Sequence, residues 1–259
     1  MEIREFAGRI LTADSIAEKL LPIEPPVTDD RPGDAFRPAL PARPPSLHFC
    51  GRKQTPAMPH PNTFSDPLKR AAAHHILANH ELQALEVMAF VLSAFPDAPP
   101  DFRREMVPIL ADEQRHTRMH IQRAEELGLA FGDLPVNGYF WMKAQKFTCL
   151  LDYLAGMPLT FEGRNLDHTL EFEQHFATVG DQTGANILRI IHRDEIRHVA
   201  FGIRWLHKLK SPDQSDWQAY ESHLQWPLRP EKSKGRHFHR EPRLAAGLSD
   251  EFLDELERS

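Results

Sequence analysis

An all-α bundle of four long helices is the architecture this sequence predicts, and three observations predict it. Four segments between residues 65 and 210 carry apolar side chains at helical rather than alternating spacing. Proline crowds the front of the chain, where 12 of 22 fall within residues 1–67, and only Pro108, Pro135 and Pro158 lie between 101 and 211. No segment shows the period-two pattern of a half-buried strand. The expected organisation is a short helix and proline-rich arm over residues 1–64, the bundle over 65–210, and a C-terminal extension over 211–259.

The arm comes first. Residues 13–21 have the composition of a short helix, whereas Pro22 to Pro61, with Pro25-Pro26 and Pro44-Pro45, reads as an extended segment without a core of its own. It is expected to lie along the main domain. Helix A opens at Ser65-Asp66-Pro67, a capping side chain followed by proline at the first helical position, and stops at Phe95-Pro96. Helix B starts at Pro99-Pro100-Asp101, carries Met106, Ile109, Leu110, Ile121, Ala124 and Leu127 on one stripe, and ends at Gly128. After a connection over 129–138, helix C begins near Tyr139 and runs through Phe161, with a kink or break expected at Pro158, and a further helical piece covers Thr169 to Val179. Helix D spans about Thr183 to Leu209, ending before Ser211-Pro212. In the extension, a small helix is expected from Asp250 to Glu257 after Ser249, and the basic run from Lys232 to Arg243 reads as a segment packing back onto an acidic protein.

Composition narrows the function. The chain has 31 basic and 37 acidic side chains, a net charge of −6, so there is no global basic field to hold a nucleic acid. Cys50 and Cys149 are the only cysteines, too few for a disulfide framework or a zinc motif of paired thiols. The start, Met1-Glu2-Ile3-Arg4-Glu5, lacks the basic head of a secretory signal, and no run reaches the ~18 apolar residues of a spanning helix. These readings together point to a cytoplasmic protein without membrane association.

The chemistry is carried by one pattern that occurs twice. Helix B contains Asp112-Glu113-Gln114-Arg115-His116 and helix D contains Asp194-Glu195-Ile196-Arg197-His198. Glutamate and histidine three residues apart are neighbours on one helical face, so both can reach a single ion. Glu113 lies in the stripe of Met106, Ile109 and Leu110, and Glu195 in that of Leu188, Ile191 and Gly202, so both carboxylates point inward. An ionised carboxylate on a core face is costly unless paired or bound to metal. Glu81 on helix A and Glu162 on helix C lie 32 and 33 residues upstream of Glu113 and Glu195, as though one helix pair occurred twice. Four glutamates and two neutral imidazoles are neutralised by two divalent cations, and hard oxygen with imidazole suits iron, with manganese as the alternative, rather than structural zinc.

In these residues the chain resembles the ferritin-like di-iron carboxylate proteins, in which a Glu and a Glu-x-x-His motif recur in this way. The resemblance covers about residues 65–210. More closely, His80-Glu81-Leu82-Gln83-Ala84, the two D-E-x-R-H motifs and Glu162-Gly163-Arg164-Asn165-Leu166-Asp167 look like a bacterial ferritin-like family of unknown function whose relatives include tRNA-hydroxylating enzymes. It implies a ferritin-like four-helix bundle in which Glu113 and Glu195 bridge two ions, Glu81 and His116 complete one, and Glu162 and His198 the other. The doubled motif also resembles the bacterial multicomponent monooxygenases, which implies that Asp112 orients His198 and that Asp194 orients His116.

The function expected is an oxidoreductase, a hydroxylase or oxidase, that activates O2 on a reduced di-iron pair and oxidises an organic substrate with electrons from a partner. The alternative with the same ligands is an iron-handling, ferroxidase-type protein without an organic substrate. Nucleic acid enters only as tRNA by analogy, and an oligomer is compatible with the pattern. Glu86, about 140° round the helix from Glu81, is expected at the surface or behind the ligands, and His120 as a packed helix histidine. Roles for His74, His75, His80 and His192 stay open, and Tyr139, Trp141 and Trp205 are expected as core aromatics.

Overall fold

The computed structural model describes residues 1–259. The chain is all-helical, with two isolated β-bridges and no strand. It forms two compact units, Met1–Gln145 and Lys146–Ser259. No helix is long and apolar enough to cross a membrane.

The first unit opens on α1 (Ile3–Thr12), N-terminal to where a helix was expected, followed by the single turn α2 (Ile16–Lys19). Glu2 and Glu5 form a reciprocal cap on α1, and Ile3, Phe6, Ala7, Ile10 and Leu11 are buried at helical spacing. The proline-rich segment is extended, interrupted by 3₁₀ turns. Helix α3 (Pro67–Ala94), capped by the Asp66 carboxylate on Leu68 N, packs along α4 (Pro100–Glu126), and the short α5 (Tyr139–Ala144) closes the unit. Pro108 sits inside α4 without ending it.

Charged side chains fasten the arm. Glu86 is not at the surface. It is fully buried, where Arg43 of the arm donates from Nε and Nη2 to its carboxylate at 3.0 and 2.6 Å, and Lys19 Nζ lies 3.1 Å from Oε1. Arg43 also donates to Asn79 Oδ1 at 2.9 Å. Burial lowers the Lys19 pKa, and the Glu86 carboxylate opposes that shift. On the other side of the arm, Arg103 of α4 grips Asp29 through Nε at 2.8 Å and Nη2 at 3.0 Å.

The second unit holds α6 (Leu150–Gly156), a π-helical stretch over Met157–Glu162, α7 (Gly163–Thr178) and α8 (Gln182–Leu209). Two expectations for helix C are corrected here. The chain leaves helical geometry over residues 145–149, where Thr148 N and Oγ1 both donate to Asp152 Oδ2 at 2.8 Å. At Pro158, by contrast, it neither kinks to a stop nor breaks. The missing N–H is absorbed by a π stretch, and Thr160 Oγ1 donates to Ala155 O at 2.8 Å. Helix therefore continues to Thr178. Gly202 of α8 permits the close approach: a Cβ there would lie 2.5 Å from Pro158 Cβ.

The extension adds α9 (Asp216–Ser222), α10 (Arg240–Ala245) and α11 (Asp250–Arg258), the last capped by Ser249 as its sequence indicated. The basic run does pack back within this unit. Arg243 is buried and binds Asp167 of α7 with two parallel hydrogen bonds, Nη1 to Oδ1 at 2.7 Å and Nη2 to Oδ2 at 2.9 Å, while its remaining donors reach Gly163 O, Ser233 O and His239 O.

Burial alone would raise the Asp167 pKa, but the Arg243 guanidinium and the backbone N–H groups of Gly235 and His239 hold it below the usual carboxylate range. A depressed carboxylate stabilises the fold above its unfolded pKa of about 3.9, and that stabilisation is lost as pH falls through the lower folded value. Asp167→Asn is therefore expected to cost about 3 kcal/mol at pH 7 in urea unfolding, with the difference from wild type shrinking below about pH 4. A constant difference across that range would show that the charge pair is not its source.

Candidate metal centre

The first unit brings three of the expected ligands together. Glu81 on α3, with Glu113 and His116 on α4, are all buried, and one donor atom of each lies within 4.8 Å of the others. His116 Nδ1 is 3.8 Å from Glu81 Oε2 and 3.8 Å from Glu113 Oε1. The three-residue spacing on α4 sets the second distance, and the packing of α3 on α4 sets the first. Burial pushes the Glu81 carboxyl up, yet the neighbouring His116 imidazole outweighs it and holds the group below the usual carboxylate range.

The second unit presents the remaining three. Glu162 ends the π stretch, and Glu195 and His198 lie one turn apart on α8, all buried. His198 Nδ1 is 3.6 Å from Glu195 Oε2, and one of its ring nitrogens is within 4.8 Å of a Glu162 oxygen. Asn165 Nδ2 on α7 donates to Glu195 Oε1 at 2.8 Å, fixing that carboxylate's plane. The other oxygen, Oε2, makes no hydrogen bond although the side chain is fully buried. Asn165 had no assigned role, but its position one turn after Glu162 on the same helical face was the available signal. The π stretch contributes directly, because one residue inserted into a helix rotates the residues beyond it by about 100° and thereby sets the direction of Glu162.

The outer residues divide differently from the ligands. Asp112 pairs with Arg115 at 2.8 Å and Asp194 with Arg197 at 2.7 Å, each an i, i+3 contact whose arginine is partly exposed. His120 is fully buried, one turn beyond His116, with its Nδ1 2.8 Å from His74 Nδ1. Burial pulls the His120 pKa down to about 4. His75 accepts from Gly132 N at 3.0 Å, His80 stacks obliquely on Phe140, and His192 meets Thr169 Oγ1 at 2.8 Å. Trp141 and Trp205 are core residues, with Trp141 Nε1 donating to Ala39 O at 2.9 Å, whereas Tyr139 is 40% exposed and not a core aromatic.

The molecule is thus an all-helical protein that carries buried carboxylate and imidazole clusters on its long helices. The chain belongs to the family described as protein of unknown function (DUF455), whose profile matches residues 7–254. An uncharacterized protein of Haemophilus influenzae is 29% identical over 154 residues, a match covering 59% of this chain and 53% of that protein. The chain thus aligns with about half the length of that relative. No solved structure matches it.

Proposed function

We propose that this chain is a binuclear metal carboxylate protein with a ferritin-like bundle, and that it uses O2 to oxidise an organic substrate. The observation that carries the reading is Glu195, a carboxylate with no exposed surface, one oxygen of which is oriented by Asn165 while the other makes no hydrogen bond beside the His198 imidazole. Burying such a group is unfavourable by several kcal/mol unless a cation compensates it. Hard carboxylate oxygen with imidazole, and no thiolate, fits iron or manganese.

Glu81, Glu113 and His116 would hold one cation, and Glu162, Glu195 and His198 the other. Bound there in the reduced state, iron supplies electrons and open coordination positions for O2. The protein's share is to keep the donors ionised and dry. Asn165 holds Glu195 in orientation, and the apolar neighbours Met106, Leu110, Leu188 and Ile191, all buried, exclude water from the helix faces that bear the ligands. The chain contains no flavin or nicotinamide fingerprint, so reducing equivalents would come from an electron-donor partner.

Protein produced in iron-rich medium is expected to carry about two iron or manganese ions per chain by elemental analysis, and Glu113→Ala and His198→Ala to lose at least one each. Full occupancy in both variants would remove the proposal. Aerobic incubation with a chemical reductant, tRNA and small aromatic compounds then separates the chemistries. Oxygenated product supports the oxidoreductase, whereas O2 uptake driven by ferrous iron alone would replace it with iron handling.

A further inference from the structure

Away from those six residues, the second unit holds a cluster with different donor chemistry. Cys149 sits at the start of α6, Asp152 lies one turn into that helix, and His223 ends α9, which packs against α6. Their donor atoms converge within 4.8 Å of one another. Cys149 Sγ is 3.8 Å from His223 Nδ1, and His223 Nδ1 is 2.9 Å from Asp152 Oδ1.

We propose that Cys149, Asp152 and His223 form a mononuclear site for a borderline-soft divalent cation, zinc by chemistry, with a water in the fourth position. The argument is metric. In a tetrahedral zinc site with Zn–S near 2.3 Å and Zn–N or Zn–O near 2.0 Å, the S···N edge is about 3.5 Å and the N···O edge about 3.3 Å. The S···N and N···O edges in the structure, 3.8 and 2.9 Å, differ from these by a few tenths of an ångström, and the third pair, Cys149 Sγ with an Asp152 oxygen, lies within 4.8 Å. Asp152 is also pre-oriented. Thr148 N and Oγ1 hold its Oδ2 at 2.8 Å each, which leaves Oδ1 turned toward the imidazole. Cys149 and His223 are partly exposed, so a cation has access from solvent and room for a water.

Coordination is balanced by proton release. The Cys149 thiol, whose pKa burial raises, gives its proton to solvent, and the imidazole proton resides on Nε2 so that the Nδ1 lone pair meets the ion. The bound cation would tie the end of α9 to the start of α6, replacing the direct His223–Asp152 contact.

Cobalt(II) added to the reduced full-length protein is the probe, because a thiolate-to-cobalt charge-transfer band reports sulfur ligation and is blind to carboxylate–imidazole sites. The band is expected to saturate near one cobalt per chain in wild type and in Cys50→Ser. It should be absent in Cys149→Ser and require at least about tenfold more cobalt in His223→Ala, with helical circular dichroism unchanged in all. Excess zinc should abolish it. No band in wild type, or an equal band in Cys149→Ser, would overturn the proposal and leave the three side chains as a hydrogen-bonded cluster. Since the signal depends on Cys149, that outcome is independent of the iron and manganese count.

Discussion

Glu86→Gln is expected to lower the unfolding free energy by about 3–5 kcal/mol, a large part of a typical domain's total. The wild-type carboxylate is fully buried between Arg43 and Lys19, at 2.6 and 3.1 Å. Glutamine keeps the shape and can accept one hydrogen bond, but it leaves two cations facing each other without a counter-charge. Lys19, whose pKa burial already lowers, would respond by losing its proton, and the cost of that deprotonation enters the measured loss. Urea titrations of metal-depleted protein give the clean comparison, since ligand loss cannot then contribute. A change below about 1 kcal/mol would mean that the arm is held by its backbone contacts and not by this charge cluster.

The second large effect concerns the cations. Metal-depleted wild type is expected to gain about 4 kcal/mol of stability when free Fe(II) or Mn(II) exceeds the dissociation constant a thousandfold, read as a rise in the unfolding midpoint under anaerobic conditions. Glu195→Gln should behave in the opposite way at each end. Without metal it removes a buried negative charge while keeping the side chain's shape and its acceptor for Asn165 Nδ2, so the variant should equal or exceed wild type in stability. With metal it should gain far less. A stability loss without metal together with a full gain on metal addition would assign Glu195 a purely structural role.

Much of the helical layout was legible because local signals settle it. Asp66-Pro67 set the start of α3, Ser211-Pro212 follow the end of α8, and Ser249 caps α11, each a signal within three residues of the helix end. The inward direction of Glu113 and Glu195 followed from their apolar neighbours one turn away. The spacing of Ile3, Phe6, Ala7, Ile10 and Leu11 also encodes α1 locally, although the helix expected at the front of the chain lay at residues 13–21.

What escaped prediction depends on partners far along the chain. Glu86 looks like a surface carboxylate on α3 until Arg43, 43 residues earlier, supplies its counter-charge. Pro158 reads as a kink or break, yet Gly202 on α8 makes room for its ring and Thr160 satisfies a carbonyl, so the helix survives by adding a residue to one turn. Cys149 and His223 are 74 residues apart and belong to no recognised spacing. Only the packing of α6 on α9 gives them a common address.

Arginines of the front arm and of the C-terminal extension lock onto helices beside the proposed ligands: Arg43 onto α3 five residues past Glu81, and Arg243 onto α7, which directly follows Glu162, five residues past it. Trimming either end to obtain a minimal core would therefore strand an acidic side chain inside the protein, Glu86 in one case and Asp167 in the other.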